Sequence, residues 1–487
     1  MSVDLQDASL SLLIITCGYW LVVWTCAVCL ALQLTLLCVR LWMSRFETGP
    51  SRPSMNFEQP IFSIHLAIHN EPPAVVIETL RALAAQDWSA ARYEVIVIDN
   101  NTADAALWRP VAAECAELGS GFSFDHRMGV IGAKAGALNI ALSHTRPDVT
   151  HIVTVDADYV TDPQFLAHAA DALRNTGADY VQFPQAYAGC EQLAAGVDAE
   201  LEEYFRSNAQ MADVAEAVLL TGTLCVISAP ALRSAGGWSG RTITEDADMG
   251  VRLCQMGFNG RFIGKIVGRG VLPFSLTDLE RQRHRWASGN FQTLIAHAPS
   301  ILLGRGGMGW RRRGAILSQL TAWLNFSLLP AAVLLVSFIT GRGSDLLISL
   351  AAASVCLTFA DIVGRLAWRG RHDRSHPAVV AAAICNRLAL APVSACATLT
   401  VLTGRRLAFN VTDKSGVALR RDTPIPHSSL ILFVAAVVVL PAATGAGWLA
   451  TLAVLALLTP FPATVAISRT LDRYRMTITT ARKGASA

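Results

Sequence analysis

Apolar positions along the chain fall into two blocks that flank a segment of mixed character. Residues 10–39 form one unbroken apolar run. It exceeds the roughly 20 residues a helix needs to cross a hydrocarbon core and is too short to cross twice, so one spanning helix is expected. Further apolar runs follow at 317–340, 346–368, 378–403, 429–446 and 447–467. Between the blocks, short β-branched runs alternate with amphipathic stretches. Residues 61–68 read as a strand, 73–85 as a helix and 94–98 as a second strand; a helix follows from about 106, another opens at Gly132, and 152–155 is a buried strand of a parallel sheet. This alternation predicts an α/β layer that binds its ligand at the carboxyl ends of the strands. Those ends are polar: His69, Asn70 and Glu71; Asp99, Asn100 and Asn101; Asp156, Ala157 and Asp158.

The flanking charges orient the apolar blocks. Asp4 and Asp7 precede the first run, against a cleaved leader, while Arg40 and Arg45 follow it and put the middle segment in the cytosol. The runs 317–340 and 346–368 form a hairpin returning to Arg369, Arg371 and Arg374. The run 378–403 carries Asn386, Arg387 and Pro392, costly in a lipid-facing span, and is expected to lie along the interface without crossing. A second hairpin spans 429–467. The chain therefore divides into a spanning helix (1–45), a cytosolic domain (46–300), interfacial helices and a hairpin (301–403), a loop (404–427) and a closing hairpin with a tail (428–487).

Composition narrows the class. Of 487 residues, 52% are hydrophobic and 16% charged, too apolar for a purely soluble enzyme, so membrane lipid is a partner. A net charge of +3 without a basic, aromatic-laced stripe gives no case for nucleic acid. The 11 cysteines are scattered without zinc-type pairing and are expected as free thiols.

Candidate chemistry clusters in the middle segment. Asp156 and Asp158 offer two hard oxygen ligands suited to Mg²⁺ or Mn²⁺ and hence to a diphosphate, although an Asp-Ala-Asp also serves as a simple turn. The segment lacks both GxGxxG after its first strand and GxxxxGK[ST]. Lys134 at a helix start opposes the helix dipole and asks for an anion. Thr244, Glu245 and Asp246 could cap a helix, yet three acids with Asp248 exceed what the dipole needs, and one could act as general base. Gln282, Arg285 and Trp286 read either as a membrane belt or as an arginine for a diphosphate and an indole for a sugar ring.

This ordered set resembles the membrane-embedded, processive family 2 glycosyltransferases, which include cellulose, curdlan, chitin and hyaluronan synthases. The matching positions are Asp99, the pair Asp156 and Asp158 for DxD, Thr244, Glu245 and Asp246 for TED, and Gln282, Arg285 and Trp286 for QxxRW. Phe409, Val411, Thr412 and Lys414 match the FxVTxK gating loop of cellulose synthases. The resemblance implies a GT-A-type nucleotide-sugar domain inserted between about five transmembrane spans and interfacial helices. It also implies Asp246 as base with Glu245 beside it, Asp156 and Asp158 as metal ligands, and Asn70, Glu71, Asp99, Lys134, Thr244 and the QxxRW and gating-loop residues at substrate. The expected partners are a UDP-sugar donor, a growing glycan and possible export subunits, in a bacterial inner membrane. The expected product is a 1,3- or 1,4-linked β-glucan made from UDP-glucose. Asn100 replaces a second acid after Asp99, Thr221 to Thr223 stand where cellulose synthases tend to carry a Cys, and no cyclic-di-GMP-reading domain follows Arg421. The alternatives are an amino-sugar polymer, transfer of single sugars to a lipid, or a nucleotide-regulated transporter.

Overall fold

The computed structural model describes residues 2–45, 57–190, 194–404 and 427–485. The gating-loop match at Phe409 to Lys414 lies outside them. The middle segment folds around a seven-stranded sheet of order β3-β2-β1-β4-β7-β6-β8. Its strands are β1 (Phe62–Ile68), β2 (Tyr93–Asn100), β3 (Phe122–Arg127), β4 (His151–Thr154), β6 (Tyr180–Gln182), β7 (Cys225–Ser228) and β8 (Gly260–Phe262); a separate ribbon pairs β5 (Val160–Thr161) with β9 (Gly268–Arg269).

Central strands β1 and β2 are near-continuous apolar runs because both faces of the sheet are covered. Ile64, Leu66, Val95 and Val97 pack with Val76, Leu80 and Val111 from helices Pro73–Ala84 and Ala105–Leu118. Ile96 and Ile98 point the other way, onto Ala137 and Ala141 of helix Ala133–His144. Parallel pairing of β1 with β2 and β4 brings three strand ends to one edge.

Two expectations need correction. The sheet is mixed, because β7 runs antiparallel to both β4 and β6. The second is that residues 218–223, whose apolar start reads as a strand and turn, form no strand; β7 begins at Cys225. Their main-chain groups are satisfied by side chains instead of a ladder. Gln319 accepts from Leu219 N at 2.8 Å, Gln182 accepts from Thr221 N at 2.9 Å, and Tyr180 and Gln185 donate to the carbonyls of Val218 and Thr221.

Among the described residues, five helices are long and apolar enough to cross a membrane: Ile15–Met43, Asp345–His372, Pro377–Leu402, Ser428–Ala446 and Trp448–Thr477. The run 317–340 is not one helix. Helix Trp310–Thr321 ends before Asn325, whose side-chain Oδ1 accepts from Ser327 N at 2.9 Å, and Leu328–Thr340 then restarts with 13 residues. The Leu328, Asp345, His427 and Trp448 helices pack on one another around Leu334, Ala351, Ala436 and Ala453. Helix Pro377–Leu402 packs on helices Ala195–Tyr204 and Leu276–Leu303 of the sheet domain and on helix Pro460–Ala485.

Candidate active site

The three parallel strand ends, the amino end of helix Glu245–Gln255 and the first turns of helix Leu276–Leu303 surround one open cavity. It is lined by Glu71, Lys134, Asp156, Asp158, Thr244, Glu245, Asp246, Gln282, Arg285 and Trp286, so ten residues expected from sequence converge there. Asn70 stands exposed beside it at φ 59°. Its backbone N–H donates to Thr102 Oγ1 at 3.0 Å.

Asp99 lies under this cavity instead of in it. The residue is 1% exposed. Its carboxylate accepts from the Thr102 hydroxyl at 2.6 Å and from His126 Nδ1 at 2.5 Å, and Trp108 stacks on the His126 ring at 4.4 Å. Asp99 therefore organises the turn after β2 from below. Asn101, at φ 60°, clasps the neighbouring loop by exchanging two 2.9 Å hydrogen bonds with the backbone of Val130.

Lys134 is the electrostatic centre of the site. Its ammonium donates to Asp156 Oδ1 at 2.5 Å and to the Gly222 carbonyl at 2.9 Å, and lies 3.8 Å from Glu245. Burial works against its charge, but Asp156 and Glu245 outweigh burial and raise its pKa above the ordinary ammonium value. The pKa of Asp246 is raised as well, which for a carboxylate favours the neutral form. Burial, then the like charge of Glu245, raise it to about 7 against the opposing pull of Lys134. Gly222, at φ +83°, makes this crowding possible: a Cβ there would sit 2.8 Å from Asp246 Oδ2.

Thr244 occupies the N-cap position without capping. Its hydroxyl lies 3.3 Å from that of Thr293, tying the Glu245 helix to the Leu276 helix. A buried network reinforces the tie: Asp248 accepts from His297, Arg241 and Arg252 at 2.8, 2.9 and 2.8 Å, and these partners hold its carboxyl down at about 2 although burial alone would raise it. On the Leu276 helix, Gln282 accepts from the Tyr187 hydroxyl at 3.1 Å. Tyr187 and Gln185 line the cavity too and belong to no motif, so sequence reasoning passed over them; Thr221, noted where cellulose synthases tend to carry a Cys, lines it as well.

Asp156 and Asp158 reach the cavity from the turn after β4, and Asp158 also accepts from Val271 N at 3.1 Å. Among the described residues no third His, Cys, Asp or Glu completes a metal-binding group. Two carboxylates fit a hard divalent cation whose remaining ligands come from a diphosphate and water.

With this geometry in place, comparisons with known proteins define the class. Residues 63–233 match glycosyl transferase family 2, and residues 151–363 match glycosyl transferase family group 2. Residues 63–233 therefore carry a family 2 glycosyltransferase domain, and the fold is GT-A-like. Among its relatives is the cellulose synthase catalytic subunit (UDP-forming) of Xanthomonas axonopodis pv. citri (strain 306), 29% identical over 254 residues, 51% of this chain and 33% of that one. Another is glucomannan 4-β-mannosyltransferase 2 of Arabidopsis thaliana, 26% identical over 292 residues, 54% of each chain. The alignments thus span about a third to a half of these relatives' length. The solved mannosyltransferase PcManGT from Pyrobaculum calidifontis, in complex with GDP-Man and Mn²⁺, shares the fold with a TM-score of 0.53 at 16% identity, covering 79% of this chain and 100% of that one.

Proposed function

We propose that this chain is a processive, inverting β-glycosyltransferase that polymerises a hexose from a nucleotide sugar and passes the product through the membrane. The observation that carries the reading is the continuity of Asp246 and Trp286 with space on both sides. The donor cavity shares both residues with a second cavity that reaches Trp323, and Trp323 also borders a polar cavity between the apolar helices, lined by Gln33, Arg40, Asp361 and Arg365. An acceptor sugar leaving the donor side would enter the second cavity, across Asp246 and Trp286.

In the reaction, Asp246 takes the proton from an acceptor hydroxyl, whose oxygen attacks the anomeric carbon of the donor as the bond to the diphosphate breaks. An acid near 7 suits a base working at neutral pH. Lys134 and Arg285 balance charge on the departing nucleoside diphosphate. Trp286 offers its face to the acceptor ring. Asp156 and Asp158 would hold Mg²⁺ or Mn²⁺, which supplies charge neutralisation at the diphosphate.

Glucose from UDP-glucose is the first reading of the donor, on the FxVTxK match and the cellulose synthase relative. Mannose is the second, favoured by relatives named glucomannan 4-β-mannosyltransferases. Membranes containing the protein, fed UDP-glucose or GDP-mannose, are expected to release the nucleoside diphosphate and build a polymer that a linkage-specific β-glycanase digests. Excess EDTA should abolish both. Single-sugar products would overturn processivity, and full turnover in EDTA would overturn the metal assignment.

A further inference from the structure

Behind Trp286 lies a buried charge cluster with no part in the chemistry just described. Glu200 sits on helix Ala195–Tyr204, in the segment between β6 and β7, and is 1% exposed. Its carboxylate accepts from Arg283 at 3.0 and 2.6 Å, from Arg387 at 2.7 Å and from Asn386 at 3.3 Å. Burial would raise its pKa, but the two guanidinium groups overcome burial and hold it at about 2, so the carboxylate is charged. One side chain thereby joins three elements: its own helix, the Leu276 helix and helix Pro377–Leu402.

Both arginines then converge on Trp323. The Arg283 and Arg387 guanidinium carbons lie 4.1 and 4.7 Å from its ring centroid, within cation–π range. Arg387 also donates to the carbonyl of Ala322 at 2.5 Å, fixing the backbone beside Trp323. Tyr204 stacks on the indole at 4.7 Å and 22°. Trp323 is 4% exposed, so this ring has no open face for a sugar. It meets Trp286, with centroids 5.3 Å apart at 39°. Arg283 is three residues before Trp286 on the same helix and 5.9 Å from that ring as well.

Buried ion pairs are poor sources of stability, since apolar packing of equal volume often does as well or better. What a two-arginine fork on one carboxylate provides is fixed geometry. We propose that Glu200 is a positioning residue for the acceptor: through Arg283 and Arg387 it wedges Trp323 against Trp286 and sets the indole that carries the acceptor ring at its distance from Asp246. The proposal rests on the transferase reading and deepens it. The hydrogen bonds of Lys134 and Asp156 run to each other, to Gly222 and to Thr223, away from this cluster, so loosening it should misplace the acceptor and spare the donor.

The test compares Glu200→Gln with wild type in membranes, measuring nucleoside diphosphate release and sugar incorporation in parallel. Incorporation should fall about tenfold or more, since a shift of about 1 Å can cost that much. Donor KM and hydrolysis of the donor by water should change less than about twofold, so that release per sugar incorporated rises. Arg387→Lys, which keeps the charge but cannot both stack on Trp323 and reach Ala322, gives the same signature if Glu200→Gln does not fold. Glu200→Asp should partly restore incorporation. Release and incorporation falling together, or both staying unchanged, would overturn the positioning role. A wild-type protein that turns over neither UDP-glucose nor GDP-mannose would instead overturn the proposed function itself.

Discussion

At Asp246, burial and Glu245 hold a proton that Lys134 alone would drive off. An ordinary aspartate near 3.9 would be ionised throughout the physiological range but a feeble base. The raised value brings its basicity to the working pH, with a price in protonation below it. The sign is therefore fixed: the protonated acid cannot accept a hydrogen, so kcat should rise with pH through about 7 and level off above. Asp246→Asn keeps the size but removes the base, and transfer should drop by about 10² to 10⁴. Donor binding should survive, because Lys134 and Arg285 are untouched; isothermal titration with the nucleoside diphosphate checks this. A variant that folds and fails to bind the nucleotide would show that Asp246 serves the donor and not the acceptor.

The two helices that carry TED and QxxRW are pressed together at Gly289. A Cβ there would lie 2.4 Å from Thr244 Cγ2 and 2.7 Å from its hydroxyl, both on a buried, β-branched side chain with little room to turn. Gly289→Ala should therefore cost about 1–3 kcal/mol by overpacking. It should also lower kcat by spreading Asp246 from Trp286; a lower unfolding temperature with unchanged kcat would separate packing from catalysis. At this scale the sequence was readable where chemistry sits at strand ends and helix starts, because Asp156, Lys134 and Asp246 each interrupt an apolar pattern in a place that local rules leave unexplained. Glu200, Gln182 and Gln319 were not readable. Each meets its partners across the fold, up to 187 residues away for Glu200 and Arg387, and a polar residue on a helix or at a strand end looks like a solvated face until the partner arrives. Asp99 was read as a ligand contact, and the fold turns its carboxylate inward to His126, a partner 27 residues on that no short motif announces.

Contacts at the two ends of the first helix give the whole molecule its polarity. Tyr19, near its start, hydrogen-bonds to Ser344 at 2.5 Å, while Arg40, near its end, pairs with Asp361 at 3.0 Å. The turn between Leu328–Thr340 and Asp345–His372 is thus at the opposite end of the bundle from the catalytic domain, and Arg369, Arg371 and Arg374 lie on the catalytic side. Helix Pro377–Leu402 is long and apolar enough to cross, and the sum of its hydropathy alone would make it a span. Its middle, however, is held by Glu200 of the catalytic domain through Asn386 and Arg387. Because its centre is bonded to the sheet domain, we propose that it lies along the interface without crossing. Both its ends then share one side, and the His427 and Trp448 helices make the return pair that brings Tyr474 back to the Ala188 carbonyl at 2.8 Å. With the arginine-rich side taken as cytosolic, single cysteines at Arg374 and Thr403 should react with a membrane-impermeant maleimide only after cells are opened, and one at Arg342 should react in intact cells. Labelling of Thr403→Cys but not Arg374→Cys from outside would mean that the helix crosses, and would put everything beyond it, including Phe409 to Lys414, on the wrong side of the membrane to meet a nucleotide sugar.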